Sequence, residues 1–263
     1  MSSPKKLSGK SQASEMPSLY SELADWFYLL TAPEDYAEEA AFYKKVLVES
    51  SQNVVHEVLE LGSGGGNNAS HLKADFQMTL TDLSPDMLRI SRRLNPGCEH
   101  IQGDMRYLRL GRQFDAVFIH DAISYLKTIE DLRLAIQTAY IHCREGGVAL
   151  FCPDHISDTF SPYTNHGGHD KEKRGLRYLE WIWDPDPNDS SYVMDMVYLL
   201  KDGEKVSCRS DRHILGLFSE KTWLSVIENV GFIPRVISHS WPGYDPALGS
   251  RIFLGVKPIE KNP

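Results

Sequence analysis

The chain has 263 residues, 36 acidic against 28 basic side chains, and a net charge of −8. That length builds one α/β domain with additions and buries a core without metal or disulfide staples; the acidic balance, with Arg89, Arg92 and Arg93 the one basic cluster, argues against a nucleic-acid ligand. No apolar run approaches a membrane span, and the scattered Cys98, Cys143, Cys152 and Cys208, with no CxxC pair or secretory signal, read as reduced thiols of a cytoplasmic protein.

Residues 1–16 are polar and Ser/Lys-rich, the composition of a disordered tail. Residues 17–50 form a helical cap: apolar spacing of three and four predicts helices over 18–30 and 34–50, started by Ser18 and by the acidic pair after Pro33. From residue 56 short apolar runs (56–62, 77–83, 98–104, 114–121 and 146–154) alternate with helical stretches (67–74, 84–95 and 128–143). This rhythm predicts βαβ units and a parallel sheet covered on both faces. Residues 156–212 break it. They are rich in Pro, Asp, Gly, His and aromatics, with alternating stretches at 178–183 and 192–200 around Asp-Pro-Asp-Pro-Asn-Asp, and predict an antiparallel insertion or lid. A helix over 219–230 ending at Gly231 and strands over 232–241 and 251–258 follow, so the core is expected over 51–155 and 213–263.

The strongest signal is Val58-Leu59-Glu60-Leu61-Gly62-Ser63-Gly64-Gly65-Gly66, an apolar strand running into a glycine-rich turn and a helix start. Glycines there allow a tight turn and close approach of a ligand to the main chain. Asp82 ends the next strand about 20 residues on, where a carboxylate accepts ribose hydroxyls. A dinucleotide fingerprint wants a third glycine where Asn67 stands. Glu60 at the mouth of the turn would repel a pyrophosphate, at a cost of about 1–4 kcal/mol at ~4 Å. The sulfonium and ammonium of S-adenosylmethionine are instead welcome beside it, so that cofactor is favoured over NAD.

Glu60 to Gly66 resembles motif I of class I methyltransferases, and Leu80 to Leu88 resembles the segment that holds the ribose. Gly103-Asp104-Met105 looks like the adenine pocket of that family, Phe114-Asp115-Ala116-Val117 like its fourth strand and Arg144-Glu145-Gly146-Gly147 like the turn into its fifth. The resemblance implies a Rossmann-like α/β fold with a seven-stranded mixed sheet, N-terminal helices and an antiparallel lid. It also implies that Asp82 binds the ribose, Asp104 the adenine amino group, Leu83 and Met105 the adenine faces, and Gly62, Ser63 and Gly64 the methionine portion, with Met87 beside them. The helix of Tyr20, Asp35-Tyr36-Ala37-Glu38-Glu39 and Arg212-His213-Ile214-Leu215-Gly216-Leu217-Phe218 resemble bacterial aminosugar N,N-dimethyltransferases; Thr31-Ala32-Pro33 depart where an arginine is usual.

Other residues carry competing readings. His120 and Asp121 end the fourth strand at the edge where such sheets bind ligands, and Asp121 doubles as a helix cap. Asn165-His166-Gly167-Gly168-His169 lacks the ligand context of a zinc site and reads as a mobile lid loop, with no metal. Aromatics at Tyr178, Trp181, Trp183 and Tyr192 read as sheet core. Methyl transfer from a sulfonium needs alignment and exclusion of water above all. Tyr20 and His120 are the candidates to position or deprotonate the acceptor, with His169 behind them. The reading is methyl transfer to a small-molecule amine or hydroxyl, with a homodimer as assembly and neither nucleic acid nor membrane as partner. The alternative is a non-catalytic S-adenosylmethionine-binding regulatory module.

Overall fold

The computed structural model describes residues 16–240 and 250–260. The tail expected over 1–16 therefore lies outside the described residues except for Met16, as does the end of the strand expected over 232–241.

The N-terminal segment is not the single helix that its periodicity predicts. Two 3₁₀ turns, Ser18–Tyr20 and Ala24–Trp26, lead into a one-turn helix α1, Phe27–Leu30. Tertiary contacts break the helix: Asp211 binds the Ser18 hydroxyl and the Leu19 N–H, and the Ser84 hydroxyl donates to the Tyr20 carbonyl at 2.5 Å. A further 3₁₀ turn, Pro33–Tyr36, precedes α2, Ala37–Ser50. The core then alternates β1 (Glu57–Leu61), α3 (Asn67–Leu72), β2 (Gln77–Asp82), α4 (Pro85–Leu94), β3 (Glu99–Gln102), β4 (Phe114–Ile119), α5 (Ile129–His142) and β5 (Cys143–Phe151). Ser84 caps α4 by accepting the Met87 N–H, with Pro85 in the first turn where its missing donor costs nothing.

The insertion holds β6 (Tyr163–Gly167), β7 (Asp170–Lys171), β8 (Arg174–Trp183), β9 (Ser191–Asp202) and β10 (Lys205–Gly216). Residues 163–167 are thus a paired strand, contrary to the loop expected around His166. β10 also runs past the boundary expected at 213. It is a polar edge strand, and no apolar alternation announced it. α6 (Glu220–Val230), β11 (Ile233–His239) and β12 (Ser250–Val256) finish the core.

The main sheet has the order β11-β12-β5-β4-β1-β2-β3, parallel from β5 to β3 and antiparallel at β12 and β11. β1 pairs with β2 on one side and β4 on the other, so strand order reverses beside it and opens a crevice at the carboxyl ends. Apolar clusters fill both faces of this sheet. The second sheet, β10-β9-β8-β6 with β7 on β8, lays Leu176, Met196, Tyr198 and Leu200 against Leu19, Leu23 and Leu29. The N-terminal segment is thereby clamped between the lid and the crevice.

On the α6 side Trp223 is 1% exposed and stacks on Phe253 with centroids 5.0 Å apart. Trp223→Ala is expected to lower the unfolding free energy by about 3–5 kcal/mol in urea denaturation. A loss under about 1 kcal/mol would contradict this account of the core.

Candidate active site

The glycine turn links β1 to α3. Gly62 has φ +72°, and a side chain there would collide with Ala122 at the end of β4. Gly65 lies against Phe27 and Tyr28, whose hydroxyl donates to the Gly65 carbonyl at 2.7 Å. The turn is therefore fixed by the crevice on one side and by the N-terminal segment on the other.

Asp82 ends β2 with both carboxylate oxygens oriented by main-chain donors: Gly64 N–H at 2.8 Å on Oδ2 and Ser84 N–H at 2.8 Å on Oδ1. Burial raises its pKa, while N–H donors from Ser84, Gly64 and Leu83 work to lower it. A carboxylate has about four acceptor sites, so both oxygens, each held by one of these two main-chain bonds, can still accept from a diol. Glu60, at the end of β1, is 2% exposed and its Oε2 has no hydrogen-bond partner. Burial pushes its pKa up to about 8, against the pull of His120. The Ser63 hydroxyl is likewise buried without a partner. An orphaned carboxylate and hydroxyl at a glycine turn, facing a diol acceptor, fit a ligand with a cationic end and a ribose.

Leu83 stays 54% exposed after β2, an apolar surface open to a flat ring, and the Met105 side chain lies against Gly62. Two of the expected residues already have protein partners here. Met87 is completely buried with Ala24 and Ile90 and so supports the turn from beneath. Asp104 spends its carboxylate on the Nε, Nη2 and main-chain N–H of Arg106, which also reaches Asp131 at 2.7 Å. Three N–H donors leave about one acceptor site on Asp104, so Arg106 competes with an adenine amino group for this carboxylate.

Tyr20 and His120 come together around shared carboxylates. His120 Nε2 is 3.1 Å from both Glu39 Oε1 and Asp121 Oδ1. Burial disfavours its imidazolium, but Asp121 and Glu39 outweigh that and lift its pKa to about 10. Burial also works against the charge on Glu39, yet His120 and Asn68 hold its carboxyl below the usual range. Asp121 lies beside Asp154, and burial drives its pKa well above the usual value although its side chain is 49% open. Such a pairing of properties belongs to a carboxyl lining a recess. Tyr20 counts Asp154, Asp121 and Asp82 among its charged neighbours, and burial keeps it a phenol. His120 is thus a charged positioning group and not a free base, and neither tyrosine nor histidine deprotonates anything alone.

Tyr36, Tyr125 and Asp154 join this recess without having been singled out in the sequence. The Tyr36 ring is 6.3 Å from His120, and its hydroxyl accepts from Thr31 at 3.2 Å. His169 lies apart, paired with Asp35 at 2.9 Å beneath the lid. Among the described residues no group of three or more His, Cys, Asp or Glu is arranged to hold a metal ion. The four cysteines are free thiols. No helix among the described residues is long and apolar enough to cross a membrane.

Comparison with known proteins agrees with this geometry. A methyltransferase-domain family model matches residues 58–147. The dTDP-3-amino-3,4,6-trideoxy-alpha-D-glucopyranose N,N-dimethyltransferase of Streptomyces venezuelae is 30% identical over 215 residues, 81% of this chain and 89% of that protein. The crystal structure of Streptomyces venezuelae DesVI superposes with TM-score 0.77 at 27% identity, covering 90% of this chain and 98% of that one. The sugar N-methyltransferase KedS8 from Streptoalloteichus has the same fold, with TM-score 0.78 at 24% identity over 98% of this chain and 99% of that one. With its glycine turn, ribose-type aspartate and lidded recess, the chain belongs to the class I S-adenosylmethionine-dependent methyltransferases, in the sugar N,N-dimethyltransferase branch, and transfers methyl groups to a small molecule.

Proposed function

We propose that the acceptor is the amino group of a nucleotide-linked deoxyaminosugar. The observation that carries this reading is the Asp121–Asp154 carboxyl pair, open to the recess beside Tyr20 and next to the turn that receives the cofactor. Carboxyl groups clustered there keep negative charge in the recess, which attracts an ammonium more strongly than a neutral hydroxyl. The sugars in the names of the relatives support the acceptor class.

Bound in the crevice, S-adenosylmethionine supplies an electrophilic methyl group on a sulfonium. Glu60 would face its cationic end, Asp82 its ribose hydroxyls, Leu83 and Met105 its adenine ring, and Gly62, Ser63 and Gly64 its methionine portion. The protein then has to align the amine, strip it of water and remove its proton; alignment alone is worth about 7–11 kcal/mol in favourable cases. Cytoplasmic location, independence from nucleic acid and a homodimer complete the reading. For the last, support comes from the outer face of the second sheet, where Leu179, Trp181, Val197 and Leu199 are exposed.

Incubation with S-adenosylmethionine and a panel of thymidine-diphosphate-linked 3-amino and 4-amino deoxysugars tests the assignment. Mass spectrometry is expected to show one or two added methyl groups on an amine. Methylation confined to hydroxyl acceptors would overturn it.

A further inference from the structure

Tyr20 closes the recess end of a hydrogen-bonded row that leads into the protein. The hydroxyls of Tyr20 and Tyr125 are 2.9 Å apart, and the Tyr125 hydroxyl is 2.5 Å from His213 Nδ1. His213 Nε2 faces Asp211 Oδ2 at 3.6 Å and has no hydrogen-bond partner at that spacing. His213 is 1% exposed. Asp211 is fixed from the other side by the Ser18 hydroxyl at 2.9 Å and the Leu19 N–H at 3.1 Å. The three rings pack edge-on or tilted, with centroids 5.7–5.9 Å apart. The row thus joins the N-terminal segment, the turn after β4 and strand β10.

We propose that this row carries the proton of the acceptor ammonium from Tyr20 through Tyr125 to His213, with Asp211 holding the receiving imidazole in place. The inference rests on the amine reading above. Hydroxyl protons rotate, so the row can be ordered in either sense. With Nδ1 accepting from Tyr125 and Tyr125 accepting from Tyr20, the Tyr20 oxygen is free to accept an N–H of the ammonium. The acceptor N–H bond breaks as a Tyr20 O–H bond forms; the Tyr20 proton passes to Tyr125 and the Tyr125 proton to Nδ1. The amine keeps the electron pair that attacks the methyl carbon, and the carbon–sulfur pair leaves with sulfur. The imidazolium stands beside Asp211 until the row reverses after product release. Each methylated product carries a new proton, so the same path serves a second round.

The arrangement matches what each group can hold. Burial lifts both tyrosines far above neutrality, so they pass a proton without standing as anions. Burial opposes a charge on Asp211, but the adjacent His213 imidazole and the hydrogen bonds from Leu19 and Ser18 outweigh it and keep its carboxyl below the usual range. An acidic partner beyond the imidazole is the arrangement of a Ser-His-Asp triad, with two hydroxyls in place of one. The titratable groups around His213 are Tyr20 from the N-terminal segment, Tyr125 from the turn after β4, Glu180 of β8 and Asp211 of its own strand.

The test uses His213→Asn, which keeps a group able to bond Tyr125 but cannot hold a proton, together with Tyr125→Phe. With a thymidine-diphosphate-linked 3-amino-3,6-dideoxyglucose, kcat/KM at pH 7 is expected to fall about 100-fold in each variant, at unchanged cofactor affinity. The gap should close at pH values above the acceptor amine's own pKa, where solvent has already removed the proton. A loss independent of pH, or no loss, would overturn the relay. Should the wild-type enzyme methylate none of the amines, the acceptor reading fails separately. The row is then judged by ¹⁵N NMR of the His213 imidazole: an Nε2–H tautomer that is lost in Tyr125→Phe supports it, and a ring indifferent to Tyr125 refutes it.

Discussion

Cofactor affinity is expected to rise about 20-fold between pH 6 and pH 7.5, with close to one proton released per S-adenosylmethionine bound near pH 7. The cause is Glu60. Its carboxyl is buried at the end of β1 with Oε2 unpartnered, and its pKa stands at about 8 in the ligand-free protein. Below that pH the group is mostly neutral. A sulfonium and an ammonium brought against it favour the carboxylate, so binding expels the proton, and linkage makes affinity climb about tenfold per pH unit while release is complete. The window stops at pH 7.5 because the α-amino group of the cofactor, ordinarily near 7.7–8.0, loses its own charge beyond it. The sign for stability is opposite. A carboxyl whose folded pKa is raised above its unfolded value of about 4.5 holds the folded state together best at low pH, so the ligand-free protein loses stability as pH rises from about 4.5 through 8. Titration calorimetry in two buffers of different ionisation enthalpy reads proton release directly. Zero release at pH 7, or a Glu60→Gln variant with the same pH slope as wild type, would remove Glu60 from the cofactor site.

The part of this site that a sequence can announce is the part built from neighbours in the chain. Glu60, the glycine turn and Asp82 occupy adjacent strand ends of one βαβ unit, so residue type and spacing alone indicate the chemistry. The acceptor side is assembled from distant pieces. Tyr20 meets Tyr125 across 105 residues, Tyr125 meets His213 across 88, and Ser18 meets Asp211 across 193. His213 lay inside a recognisable motif, yet its string carries no hint that the imidazole bonds a tyrosine. The same tertiary contacts defeated local periodicity over 18–30, where bonds to Asp211 and Ser84 replaced a continuous helix by turns. Asp104 illustrates a different limit. Its motif was legible, but nothing in it announced that the arginine two residues on folds back in a tight turn onto the carboxylate. Met87 sits on the apolar face of α4 and packs against Ala24, a long-range contact that its own string does not announce.

Asp121→Asn is expected to lower kcat/KM for an amine acceptor by about 10- to 100-fold, the scale of losing a hydrogen bond to a charged group, and to leave cofactor affinity within about threefold of wild type. In the native recess Asp121 lies beside Asp154 on one side and 3.1 Å from His120 on the other, and burial favours a proton on Asp121. One net negative charge remains to meet the ammonium. An amide at position 121 cannot carry or share that proton, and it also strips His120 of one of the three carboxyl groups, Asp121, Glu39 and Asp154, that lift its pKa to about 10. The His120 titration should therefore move down toward neutrality in Asp121→Asn, visible in the ring-proton shifts between pH 6 and 9, where the native imidazolium does not titrate fully. Glu39 keeps the ring in place at 3.1 Å, so the fold should survive. A hydroxyl acceptor, if one is turned over slowly, should be affected much less than an amine, because it brings no charge to the pair. Equal losses on both acceptors, or a parallel fall in cofactor binding, would mean that Asp121 only props up the recess.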